Sequence, residues 1–100
     1  MIVVTGHLTI KPESRDEALA LFAKASEHTR TEPGCVDYRF SVDVTDPNRI
    51  NLVEQWEDED AMNTHVATAE LAEFMGTVVT FLGGPAEVIR HDVSASKSLF

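Results

Sequence analysis

Apolar and β-branched residues fill positions 2–10, IVVTGHLTI, until Lys11-Pro12 breaks the run. Proline lacks an N–H and restricts the residue before it, so this segment reads as a strand that stops there. Ser14 stands three residues before Glu17, the spacing of a capping box that satisfies two free N–H groups at a helix start. Ala18, Leu21, Phe22, Ala25 and Thr29 then recur on one helical face, which predicts a helix over 14–31 ended by Pro33-Gly34. From 35 to 45 the chain alternates. Val36, Tyr38, Phe40, Val42 and Val44 share one phase, and Asp37, Arg39, Ser41 and Asp43 share the other. Asp46-Pro47-Asn48 carries turn chemistry, and 49–57, RINLVEQWE, forms the returning strand. The acidic run 57–60 precedes Ala61, Met62, His65 and Val66 at helical spacing. Carboxylates there complement the positive end of a helix dipole and need no ligand. Thr68 caps a further helix carrying Leu71, Phe74, Met75, Val78, Val79 and Leu82. Gly83-Gly84-Pro85 is its expected stop, with glycine in the left-handed position after the last turn. Residues 86–93, AEVIRHDV, make the last strand, and 94–100 form a polar tail ending in Leu99-Phe100.

The order β-α-β-β-α-β is that of an α+β, ferredoxin-like split βαβ domain over 1–93, an antiparallel four-stranded sheet with helices on one face. The other face would carry Val3, Thr5, His7, Val53 and Gln55, a mixed set. A second sheet packed against it would bury that surface, so a homodimer is expected.

The third strand is where chemistry enters. Ile50, Leu52, Glu54 and Trp56 share the phase that faces the helices, and Glu54 is its only carboxylate. A buried carboxylate must be paired, hydrogen-bonded or protonated, and His65, on the apolar side of the next helix, is the expected partner. Trp56, Tyr38, Phe40, Phe22, Phe74 and Leu8 would line the pocket around them. The pair serves either as a base in an aromatic pocket or as a pin holding helix to sheet.

Composition narrows the class. One hundred residues with 43% apolar content make one folded domain. The net charge of −9 repels polyphosphate, so nucleic acid is not an expected partner. No apolar run is long enough for a membrane helix, and the first residues, with no basic region and no cleavage site, are expected to be those of the mature protein. The single Cys35 suits a reducing cytoplasm. His7 and His91 fall on neighbouring strands, but without clustered ligands no metal site is expected. Gly83-Gly84 ends a helix and has no following Lys, so it is not a phosphate loop.

Thr31-Glu32-Pro33-Gly34-Cys35-Val36-Asp37-Tyr38, then Val53-Glu54-Gln55-Trp56-Glu57, then Asp60-Ala61 and His65, resemble the antibiotic biosynthesis monooxygenase domain family over roughly 2–93. The resemblance implies a dimeric α/β barrel of two ferredoxin-like subunits, with a pocket between sheet and helices in each. It also implies one of that family's activities: cofactor-free oxygenation of quinols or polyketide anthrones, haem degradation, or isomerisation of a signal phosphate. The haem-degrading branch places an iron-ligating His on the last helix, where this chain has Phe74-Met75, and the motif of His65 lacks a second His after it. The expectation is therefore a cofactor-independent monooxygenase that oxidises a small aromatic quinol or phenol with O2. His65 would be its base, Glu54 would orient His65, and Trp56 and Tyr38 would hold the ring. The alternatives are a non-catalytic dimeric module that binds a small apolar metabolite or serves in stress without chemistry and, behind it, an isomerase of the same fold.

Overall fold

A computed structural model describes the whole chain, Met1–Phe100. Its elements are β1 (Ile2–Ile10), α1 (Arg15–Thr29), β2 (Cys35–Asp43), β3 (Asp46–Trp56), α2 (Glu59–Val66), α3 (Ala69–Phe81) and β4 (Leu82–Asp92). The strands form one antiparallel sheet in the order β2-β3-β1-β4, which is the ferredoxin-like split βαβ arrangement.

Pairing puts Ile2, Val4 and Leu8 of β1 on the same face as Trp56, Glu54 and Ile50 of β3, and that face packs under the helices. The core has two lobes. One joins Leu8, Ile10 and Ile50 to Ala18 and Phe22 of α1 and Val78 and Phe81 of α3. The other joins Ile2, Val4, Tyr38, Leu52 and Trp56, with Ala61 and Met62 of α2 against it. α1 and α3 thus cover one lobe of the sheet and α2 the other.

Local chemistry departs from the sequence reading in four places. Ser14 makes no capping bond; the chain enters α1 through a 3-10 turn, Pro12–Ser14, in which Ser14 N–H donates to Lys11 O at 2.9 Å. Proline's fixed φ starts that turn early and leaves Ser14 already helical. The β2–β3 hairpin closes at Val44-Thr45, not at Asp46-Pro47-Asn48, because Asp43 Oδ2 accepts from Thr45 N and Oγ1 at 3.0 and 2.7 Å. A register irregularity between Cys35 and Asp37 turns Val36 outward, so the first residue of the expected apolar phase is 48% exposed. Finally, α3 passes straight into β4 at Leu82, and Gly83-Gly84-Pro85 lie within the strand. Those glycines serve close approach: a Cβ at Gly84 would stand 3.0 Å from Thr9 Cγ2. The chain's one left-handed residue is Gly34, at φ 80°, where a Cβ would meet Ala61 Cβ.

Two other readings agree with the structure. Asp58 caps α2, accepting from Ala61 N at 2.8 Å, and Thr68 caps α3, accepting from Leu71 N at 3.2 Å. The face opposite the helices carries Val3, Thr5, His7, Val53 and Gln55, half-buried or exposed, and β4 beyond Leu82 is exposed throughout. No helix is long and apolar enough to cross a membrane.

Candidate functional site

The cap at Asp58 starts α2 so that His65, in its last turn, points back to the sheet. There the imidazole is 5% exposed. It lies over the Trp56 indole, centroids 4.7 Å apart and planes at 31°, and meets the Tyr38 ring edge-on at 5.6 Å. Its partner is not Glu54. His65 Nδ1 and Glu32 Oε2 are 2.7 Å apart, and Glu32 comes from the connection between α1 and β2. That connection is a tight series of turns, with Glu32 N donating to Thr29 O at 3.0 Å and Cys35 N to Glu32 O at 3.1 Å. Gly34 completes it, and the carboxylate is delivered at a fixed height beside α2.

Glu54 instead accepts from Trp56 Nε1 at 3.0 Å. Burial holds its carboxyl above the ordinary carboxylate range, partly offset by the Trp56 bond and the nearby His65. Burial also pushes the Tyr38 phenol up, aided by Glu54 and Glu32, which keeps it protonated as a donor. The Cys35 thiol is pushed up to about 11, first by burial and then by the Glu32 and Glu54 charges. That thiol is a poor nucleophile.

A cavity of about 310 Å³ opens beside this cluster, between α1, β2 and α3. Leu21 and Ala25 of α1 and Leu71 and Phe74 of α3 form its apolar walls, and Thr29, Tyr38, Glu32 and His65 form its polar end. Three atoms at that end find no partner in the chain: Thr29 Oγ1, the Tyr38 hydroxyl and His65 Nε2. None of the three is sealed from solvent, since no buried side-chain polar atom is left without a bond. They come from α1, β2 and α2 and are free to bond a guest. Lys24 and His28 of α1 face Glu70 and Glu73 of α3 around the same opening.

Of the residues expected at the site, His65, Tyr38 and Phe74 line the cavity. Trp56 and Glu54 stand behind His65, and Trp56 is fully buried. Phe22 and Phe40 stack on each other at 4.6 Å behind Phe74, and line a separate notch of about 110 Å³. Leu8 belongs to the core between sheet and α1. The sequence reading missed Glu32 and Thr29 as site residues. Thr29 carried a signal, a polar residue on an otherwise apolar helix face, and Glu32 stood in the Thr31–Tyr38 stretch that carries the family resemblance, with nothing local to tie it to His65. His7 and His91 do not come together in a ligand set; His91 Nε2 lies 2.9 Å from Thr5 Oγ1 on the open face.

The sequence model of the antibiotic biosynthesis monooxygenase family matches residues 1–77. YcnE of Bacillus subtilis, named as a candidate monooxygenase, is 33% identical over 94 residues, covering 94% of this chain and 99% of that protein. The uncharacterised Synechocystis protein sll1783 is also 33% identical, over 98% of this chain and 67% of its own length. The crystal structure of a candidate antibiotic biosynthesis monooxygenase from Deinococcus radiodurans superposes with a TM-score of 0.93 at 21% identity, covering 100% of this chain and 99% of that one. At that identity the likeness is one of fold.

Proposed function

We propose, for a chain that belongs to the antibiotic biosynthesis monooxygenase family, that it oxidises a small aromatic quinol or phenol with O2, without a cofactor. The observation that carries this reading is the free Nε2 of a buried histidine whose Nδ1 is already engaged, at the polar end of an otherwise apolar cavity. An ionised carboxylate can only accept, so Nδ1 holds the proton on Glu32 and Nε2 keeps its lone pair for the guest. A phenol seated against Leu21, Leu71 and Phe74 would give its proton to Nε2, and the Tyr38 and Thr29 hydroxyls would bond its oxygens. The electron-rich phenolate then passes an electron to O2. The radical pair combines at a ring carbon, and loss of water leaves a quinone carbonyl, so one oxygen atom enters the product and the other leaves as water. A positioned base of this kind contributes about 10²–10⁴-fold. Glu32 takes the orienting role that the sequence reading gave to Glu54.

Oxygen uptake by the metal-stripped protein on a panel of hydroquinones and naphthoquinols tests the proposal. Uptake above the autoxidation blank, with stoichiometric quinone, and its loss in His65→Ala are the expected results. Turnover unchanged in that variant would remove His65 from the mechanism. Three unbonded polar atoms would equally serve a module that only binds; saturable binding across the panel with no oxygen consumed would favour that reading.

The open sheet face and the exposed β4 support a homodimer formed sheet to sheet, with Val53, 41% exposed, within the contact. Sedimentation of Val53→Lys checks it, a shift toward monomer being expected. The lone thiol of Cys35 fits a cytoplasmic location.

A further inference from the structure

Glu54 is a buried carboxyl to which the reaction above gives no task. The Trp56 indole N–H is its one side-chain hydrogen-bond partner. Trp56 presents its edge to Glu54 and its face to His65, so carboxyl, indole and imidazole stand in series. An indole N–H bonded to a carboxylate pushes electron density into the ring. The face of such a ring attracts a cation lying within about 6 Å of its centroid, and His65 lies at 4.7 Å. A neutral imidazole gains little from that contact; an imidazolium gains directly.

We propose that Glu54 is a positioning residue that acts on His65 through the Trp56 indole, favouring the imidazolium that forms when His65 takes a proton. Glu32 fixes the rotation of the imidazole at Nδ1, and the Glu54–Trp56 pair holds its face. The coupling runs both ways: the positive charge on His65 favours the carboxylate form of Glu54 against the burial that opposes it. Other groups also surround His65. Glu32 and Tyr38 touch it, Lys24 and His28 of α1 and Glu70 and Glu73 of α3 share its cavity, and Glu59 and Asp60 lie in the first turn of its own helix. Only Glu54 is joined to it through a hydrogen-bonded ring. The inference rests on His65 as the proton acceptor, but its test needs no turnover, so the two can fail separately.

Trp56 is the chain's one tryptophan, so its indole N–H resonance is unambiguous. The experiment follows that resonance and the His65 Cε1–H signal, assigned with His65→Gln, across a pH titration of the full chain. In the native protein the indole resonance is expected to move with the same midpoint as His65. Glu54→Gln keeps an acceptor for the indole and removes the charge. Its His65 midpoint is expected to fall by about half a pH unit, a threefold loss of proton affinity. In a Trp56→Phe background the same substitution is expected to have less than half that effect. An indole resonance indifferent to His65, an unchanged midpoint in Glu54→Gln, or a shift fully retained without the indole would each overturn the proposal. A merely structural Glu54 predicts the unchanged midpoint. Should Glu54→Gln fail to fold, the native indole titration decides alone.

Discussion

Replacing Glu32 by alanine tests the pairing on which the proposed base depends. Its side chain makes one hydrogen bond, to His65 Nδ1 at 2.7 Å, while its backbone N–H and C=O serve the turn and are untouched by the substitution. The His65 side chain is 5% exposed and that of Glu32 16%, so Nδ1 would be left with little water to replace the carboxylate. Stranding a buried donor costs about 1–3 kcal/mol, and breaking a fully buried charged pair about 3–5. The partial exposure of Glu32 argues for about 2 kcal/mol. In a domain of this size each kcal/mol lowers Tm by about 4–8 °C, so Glu32→Ala should melt about 8–16 °C below the native chain. Glu32→Gln keeps a neutral acceptor and should recover about half of that loss. Thermal unfolding followed by circular dichroism, at one fixed protein concentration, makes the comparison. On the panel of quinols, Glu32→Gln should lower kcat at least about tenfold with KM nearly unchanged, because the base loses its orientation and not its pocket. A Glu32→Ala chain melting within about 2 °C of native would refute the energetic argument. Unchanged kcat in Glu32→Gln would refute the catalytic one.

Three further substitutions or treatments probe the surroundings. Gly34→Ala forces a Cβ onto a backbone at φ 80° and into contact with Ala61, so a loss of about 2 kcal/mol or more is expected in denaturant unfolding; a loss below about 0.5 would contradict the close approach. Glu54 in the folded chain holds its proton above the ordinary value of 4.5, so the native state binds more protons than the unfolded one and this group's contribution falls as pH rises through that window. Glu54→Gln lacks the effect, so its stability should gain on the native chain's as pH rises above the ordinary carboxylate value of 4.5; a constant gap would count against the buried carboxyl. Cys35, with its thiol pushed up to about 11, should be alkylated about two orders of magnitude more slowly at neutral pH than an unfolded control, and faster as pH rises. Equal rates would mean that the thiol is not held by burial.

Much of the architecture was legible because it follows from periodicity. The alternation of Ile50, Leu52, Glu54 and Trp56 placed the carboxyl and the indole on the inner face, where both lie. The spacing of Ala61, Met62 and His65 turned the imidazole toward the same core. Periodicity says which face a side chain takes and nothing of which neighbour it meets there. Glu54 met the residue two positions on along its own strand, and His65 met a residue 33 positions away. Turn chemistry was less reliable: Asp43 closed the hairpin ahead of the Asp-Pro-Asn signal, and Gly83-Gly84 was used for close packing and not for a helix stop.

The sequence by itself determined the element order, the inward phase of β3, the apolar face of α1, the acidic start of α2 and the cap of α3. Each depends on residues within a few positions of one another, whose spacing sets the strand or helix geometry directly. Only the tertiary structure decided that Glu32 holds His65, that Glu54 holds Trp56, and that Thr29, Tyr38 and His65 end one cavity. Those contacts join α1, β2, β3 and α2, and their geometry is set by how the helices pack over the sheet. A hydrogen bond is satisfied or lost over a few tenths of an ångström, a distance that local spacing cannot specify across separate elements.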